Sequence, residues 1–132
     1  MYTELHYNVR LKKETPDNVI KALQYMLSDK KGPVPDDLPD HSLFNTRRWD
    51  IMLRCSSAYF AAISHSVLKK IDDDWTLCVR SNFKSYDEEI YEFIDFMNPY
   101  VDTYVGDFLG FHRYEEYDEP TLIYKTEEKQ GV

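Results

Sequence analysis

The sequence predicts a two-layer α+β sandwich, with tandem βαββ units forming a mainly antiparallel sheet and two helices on one face. Three observations predict it. Residues 5–26 run strand-like and then helix-like, and residues 76–97 do the same over the same length. Aligned without a gap, Val19, Leu23 and Met26 fall on Ile90, Ile94 and Met97. Each helix-like run is then followed by two further strand-like runs. A chain of 132 residues with 42% apolar content has the size and composition of one globular domain, here 1–132, with pseudo-repeats at 1–70 and 74–127.

Residues 2–12 alternate. Leu5, Tyr7, Val9 and Leu11 share one side and Glu4, His6, Asn8 and Arg10 the other, which is the pattern of a half-buried strand. Thr15 before Pro16 suits an N-cap followed by proline at the first helical position. The helix runs to about Leu27, with Val19, Ile20, Leu23, Met26 and Leu27 on its buried side. Residues 29–46 form a Pro-rich loop, because three prolines and a glycine in that span exclude regular structure. Its Val34, Leu38, Leu43 and Phe44 predict that parts of it pack down.

Strand alternation returns from Arg47 to Cys55, with Trp49, Ile51, Leu53 and Cys55 on one side and Asp50, Met52 and Arg54 on the other. A further strand is expected over residues 59–69. Asp72, Asp73 and Asp74 then read as a polar hairpin turn into a strand over 75–83, since the spacing of a calcium-binding loop is absent. Ser85 and Glu88 form a capping box at the start of the second helix, whose Ile90, Phe93, Ile94 and Met97 make a buried stripe. Glu88, Glu92 and Asp95 make its acidic outer side. Two last strands are expected over 107–115 and 121–127, with Pro120 at the hairpin entrance or on an edge strand.

The formal charge of −8 argues against direct nucleic-acid binding, which is driven by neutralising phosphates with Lys and Arg. It suits a soluble protein or one that meets a basic surface. The N-terminus lacks the basic and apolar runs of a signal peptide, and no stretch has the length of a membrane span. Cys55 and Cys78 are too far apart in sequence for a metal ribbon and too few for a disulfide framework, which fits a reducing cytoplasm.

No glycine-rich phosphate loop, metal-ligand spacing or nucleophile motif is present, so neither cofactor nor metal is expected and the chain reads as non-enzymatic. Cys55-Ser56-Ser57 and Ser64-His65-Ser66 offer nucleophile and base atoms, but both segments read more simply as strand. One constellation stands out. With helices on one side of the sheet, strand parity puts His6, Asn8, Arg10, Met52, Arg54, Cys78, Arg80, Asn82 and Lys84 on the other, joined by His112 or Arg113. Arg and Lys thus gather on one side of an acidic protein. Such a side holds an anion or an acidic partner, is buried by a two-fold mate, or is a solvated surface whose Arg pair with cross-strand carboxylates. The eleven tyrosines add amphipathic contact area. The binding residues expected from this reading are Arg10, Trp49, Arg54, Tyr59, Arg80, His112 and Tyr114.

Two resemblances accompany these residues. The segments LPDHSLFNTRRWDIMLRCSSAYF (38–60) and YEEYDEPTLIY (114–124) resemble small uncharacterised proteins encoded by bacteria and their phages. That resemblance implies a bacterial or phage setting and no residue-level role. In element order alone, the chain is similar to the gyrase-inhibitor-like tandem βαββ domains, which implies binding of a small molecule or protein near the pseudo-two-fold axis. The expected function is therefore a non-enzymatic small acidic binding protein that acts through a protein partner, as an inhibitor or immunity-type factor. The alternative is a small-molecule or nucleotide sequestering domain that uses the Arg-lined sheet or the cleft between the halves. A homodimer is compatible with either.

Overall fold

A computed structural model of the chain describes residues 1–29, 32–57, 60 and 63–128. The elements are β1 (Thr3–Arg10), α1 (Asp17–Leu27), β2 (Val67–Ile71), β3 (Asp74–Phe83), α2 (Glu89–Met97), β4 (Phe108–Tyr114) and β5 (Thr121–Tyr124). Short 3-10 helices cover Ser42–Asn45 and Asn98–Tyr100. The five strands form one antiparallel sheet in the order β2-β3-β1-β4-β5. Leu5, Tyr7 and Val9 of β1 and Leu77 and Val79 of β3 share one buried core with Val19, Leu23 and Met26 of α1 and Ile90, Phe93 and Met97 of α2. Both helices therefore cover the same side of the sheet, the two-layer α+β arrangement expected from the sequence.

The β2–β3 connection is a two-residue hairpin, with Ile71 paired to Asp74. Asp72 and Asp73 both hold positive φ, 50° and 71°, as the tightest hairpin turn matching strand twist requires. Asp is among the few side chains that tolerate this conformation.

The tandem βαββ arrangement needs correction in its first half. Residues 47–54 form successive turns and no strand, and the later strand is confined to Val67–Ile71. Of residues 59–69, Tyr59, Ala61 and Ala62 lie outside the described residues. In the turn region Trp49, Met52 and Leu53 are buried. Their spacing of three and four is that of a helical turn, and Ile51 N donates to Arg48 O and Arg54 N to Ile51 O. Trp49, Ile51 and Leu53 fit a period of two as well, so alternation alone did not separate strand from turn. The halves also match less closely than the gapless alignment implies. The inward residues Leu5, Tyr7, Val9 and Leu11 correspond to Leu77, Val79, Ser81 and Phe83, one residue later than that alignment, whereas the buried positions Val19, Ala22 and Met26 do match Ile90, Phe93 and Met97.

The loop between α1 and β2 fills the space between the helices. Rings run continuously across it: Tyr25 to Trp49 at 5.7 Å, Trp49 to Phe44 at 4.9 Å, Phe44 to Phe96 at 5.1 Å and Phe96 to Tyr100 at 5.8 Å. Polar groups pin it to α2. His41 Nδ1 accepts from Leu43 N at 3.0 Å, so Nε2 carries the proton and donates to Asp95 at 2.8 Å. Ser42 Oγ donates to Glu92. A cleft between the two halves on the helical side is thus occupied by the chain's own aromatic residues.

Both helix starts differ from expectation, α1 by one residue, within the usual uncertainty of helix ends, and α2 by three, with Glu88 in place of Ser85 at the cap. Pro16 takes the cap position of α1, and Thr15 Oγ1 donates to Lys12 O instead of capping. At α2 the capping box from Ser85 and Glu88 does not form. Fully buried Glu89 accepts from Asp87 N at 2.8 Å, Ser85 Oγ at 3.4 Å and Arg48 N at 3.2 Å. One carboxylate thereby satisfies backbone donors from the helix start and from the inter-helix loop.

Candidate functional site

The side of the sheet away from the helices presents three rows of cross-strand neighbours. Lys69, Thr76 and Arg10 form the first, Val67, Cys78 and Asn8 the second, and Arg80 and His6 lead the third. His65 extends the third row, its N–H donating to Arg80 O at 2.8 Å. Phe111 of β4 closes it, stacked on His6 with ring centroids 4.4 Å apart. Asn8, Arg10, Lys69, Cys78 and Arg80 are exposed. A shallow depression of about 230 Å³ lies between His6, His65, Cys78 and Arg80.

The charges here are unevenly satisfied. Arg10 Nε lies 3.4 Å from Asp102 Oδ2, and Arg113 Nε donates to Glu4 Oε1 at 3.0 Å. Among the described residues no carboxylate lies within ion-pair distance of Lys69 or Arg80. His6 is held below the ordinary imidazole range, chiefly by burial, with the nearby Glu4 carboxylate opposing and the Arg80 guanidinium reinforcing that shift.

Two of the expected binding residues, Arg10 and Arg80, occupy this side as predicted. The others do not. Arg54 belongs to the turn region, where Nε donates to Met26 O at 3.2 Å and NH1 lies 3.5 Å from Asp29, so it caps the end of α1. Trp49 is 8% exposed and belongs to the core, as does Met52. Asn82 is buried, and its N–H donates to Cys55 O. Lys84 lies beyond β3, its ammonium 5.2 Å from the Tyr2 ring centroid. Tyr59 lies outside the described residues. His112 pairs with Leu5 and Tyr114 with Thr3, which puts both on the helical side, and Arg113 joins the outward side instead. His6 and Cys78 are consequently separated from His112 by the sheet.

His112 and Tyr114 do meet each other, at a cavity of about 340 Å³ between the start of α2 and the β4–β5 turn. His112 is 7% exposed and makes no hydrogen bond through its imidazole among the described residues, although its ring lies edge-to-face on Tyr91 at 5.1 Å. Tyr114 and Tyr117 form a second edge-to-face pair at 5.4 Å. Glu88 borders the cavity at φ 61°, a left-handed conformation that costs a non-glycine residue about 1 kcal/mol or more. Burial lowers the His112 pKa, so the folded protein favours neutral imidazole while the unfolded chain titrates near the ordinary value of about 6.5. The unfolded state then binds more protons as the pH falls. Stability contributed by this group is complete above that value and is lost below it. Urea unfolding followed from about pH 7.5 to about pH 5.5 is expected to show a steeper loss of stability in the native protein than in His112→Gln; equal slopes would refute it.

Sequence reasoning missed Lys69 and His65 because it spread the preceding strand too far, and parity on Val67–Ile71 alone finds Lys69. It missed Tyr91, Tyr117 and Glu119 at the cavity because only the folding of the β4–β5 turn over α2 brings them together. The serines near His65 serve the backbone: Ser64 Oγ donates to Cys55 O, and Ser66 Oγ accepts from Arg80 N at 3.2 Å. Cys55 and Cys78 are free thiols. Among the described residues, no three His, Cys, Asp or Glu side chains converge as metal ligands, and no helix is long and apolar enough to cross a membrane. Comparison of the chain with known proteins finds no matching family model, no matching curated protein and no matching solved structure.

Proposed function

We infer that this chain is a small acidic binding protein of bacterial or phage origin that acts, without catalysis, by docking an acidic surface of a protein partner on its open sheet. One observation carries the reading. Lys69 and Arg80 are exposed and have no ion-pair partner among the described residues, on a chain whose Asp and Glu outnumber Lys and Arg by 24 to 16. Arg10, Arg47 and Arg113 each meet a carboxylate. Lys69 and Arg80 meet none, and on a rigid antiparallel surface they offer charge complementarity that steers encounter and fixes orientation. The neighbouring Ile71, half exposed, supplies apolar area at the rim. An inhibitor or immunity-type role fits a surface that works by occupancy. Free thiols at Cys55 and Cys78 support a cytoplasmic location, and the resemblance of residues 38–60 and 114–124 supports the bacterial or phage setting.

The informative variant is Lys69→Glu combined with Arg80→Glu, since Arg54 serves α1. Both side chains are exposed, so thermal unfolding is expected to stay within about 0.5 kcal/mol of the native protein. Affinity capture from a bacterial extract is expected to retain a stoichiometric acidic partner on the native protein and lose it on the double variant, with capture weakening as salt rises. A partner retained equally by both proteins would sink the reading. Light scattering of the purified chain identifies the remaining occupant: a dimer that dissociates in the double variant would assign the surface to a second copy.

A further inference from the structure

We propose that the cavity between the start of α2 and the β4–β5 turn binds a small organic cation, an ammonium group carried on an apolar or aromatic body. It lies on the helical side of the sheet, so the proposal is independent of the docking surface. Three properties of the walls point to this chemistry.

The first is aromatic enclosure. Tyr91, Tyr114 and Tyr117 all border the cavity, in two edge-to-face arrangements that present ring surfaces at different angles. Tyr91 and Tyr117 remain 56% and 64% exposed, so their ring surfaces are open to a ligand. Ring surfaces carry negative potential and attract cations, and several rings around one space form the cage that recognises ammonium groups.

The second is charge. Glu88 and Glu119 border the same space. Neither has an ion-pair partner among the described residues. The one cation at the rim, Arg113, is already engaged: its guanidinium donates to Glu4 and to Tyr117 O and lies 5.2 Å from the Phe60 ring centroid. The Tyr114 phenol is pushed above its ordinary range chiefly by partial burial, with the charges of Glu116 and Glu115 adding to the shift. An anionic ligand is disfavoured there and a cationic one favoured.

The third is an unmet polar group. His112 is more than nine-tenths buried and borders the cavity, and its ring nitrogens, which reach solvent, have no hydrogen-bond partner among the described residues. A neutral imidazole has one donor and one acceptor nitrogen, and both are open to a ligand that enters the cavity. An N–H of the ligand ammonium, given to the imidazole acceptor, satisfies it. The cavity volume of about 340 Å³ sits at the small end of ligand sites, which suits a molecule of roughly ten non-hydrogen atoms. The left-handed backbone at Glu88 is consistent with a residue held for binding at the expense of local stability.

The test compares phenethylamine, protonated at neutral pH, with its uncharged counterpart phenethyl alcohol. Each is titrated into the intact chain while the imidazole resonances of His112 and the tyrosine fluorescence are followed. Saturable binding of the amine is expected, with displacement of the His112 resonances and at least about tenfold weaker binding of the alcohol. Glu88→Gln combined with Glu119→Gln is expected to reduce amine affinity at least about tenfold and leave the alcohol unchanged. Tyr117→Ala, at an exposed position, is expected to weaken the amine without changing the thermal unfolding temperature. The proposal is overturned if no saturable amine binding occurs below about 10 mM, if amine and alcohol bind alike, or if binding leaves His112 unmoved.

Discussion

Gly110→Ala is expected to unfold the protein or leave it only marginally stable. Gly110 pairs with Tyr7 in the β1–β4 ladder, next to the irregularity between Phe108 and Gly110 where β4 meets β5. Its φ is 156°, and a Cβ added there would stand 1.9 Å from His6 O, 2.8 Å from His6 C and 2.9 Å from Tyr7 Cα. All three obstacles are backbone atoms of a central strand, so no side-chain rearrangement relieves the clash. The only escape is to part β1 from β4, which opens the ladder and displaces Phe111, His112 and Tyr114 together. The cost is expected to exceed about 3 kcal/mol, the upper end of ordinary overpacking. Against a total of about 5–15 kcal/mol for a domain, that is decisive. Urea denaturation measures it, with Gly32→Ala as the control, because nothing lies within 4 Å of a Cβ at Gly32. A Gly110→Ala protein as stable as the control would show that β1 and β4 do not approach this closely.

Trp49→Ala is expected to cost about 3–5 kcal/mol of stability, the range for removing a large buried aromatic side chain. Trp49 contacts Tyr25 of α1 and Phe44 of the inter-helix loop, and Phe44 in turn contacts Phe96 of α2. Truncation removes the middle of this chain of rings and leaves a void between the helices that backbone shifts fill only in part. The result separates two roles for the residue. A core role predicts a large fall in the unfolding midpoint, with Trp49→Phe recovering much of the loss. An interface role predicts normal stability and impaired capture of the partner. The 8% exposure of Trp49 favours the first outcome, and unchanged stability in Trp49→Ala would overturn it.

Much of the fold was legible because local patterns and tertiary packing agree. In β1, Leu5, Tyr7 and Val9 alternate and all three are buried. The two helical stripes are similarly unambiguous, since Val19, Leu23 and Met26 and Ile90, Phe93 and Met97 recur at helical spacing and reach the core. The hairpin at Asp72–Asp73 was legible from residue type, because Asp accepts positive φ. The reading failed at residues 47–55, where both periods fit the apolar residues and only packing between α1 and α2 decides. It failed at Ser85 for a related reason: the buried carboxylate of Glu89 offers the backbone donors a partner that also serves Arg48 across the loop.

The candidate sites divide along the same line. Arg10 and Arg80 were placed on the open side of the sheet from alternation alone, because a strand with a clear inward set fixes its outward set. Arg54 was misplaced with the strand that does not form. His112 depended on a choice of register that sequence leaves even, since His112 and Arg113 are adjacent and equally polar. The pairing of His112 with Leu5 settles it. The cavity that gathers His112, Tyr91, Tyr117 and Glu119 had no sequence signature at all.

By itself, the sequence determined the α+β class, both helices with their buried faces, the hairpin before β3 and the net acidic charge. Each rests on near neighbours in the chain, through strand alternation, helical spacing, turn chemistry or simple charge count. Tertiary structure alone decided the number of strands, the filling of the inter-helix space by Phe44 and Trp49, the side of the sheet to which His112 belongs, and the enclosure of the tyrosine-lined cavity. Those features join residues far apart in sequence, and their energies come from packing and desolvation that no local pattern encodes.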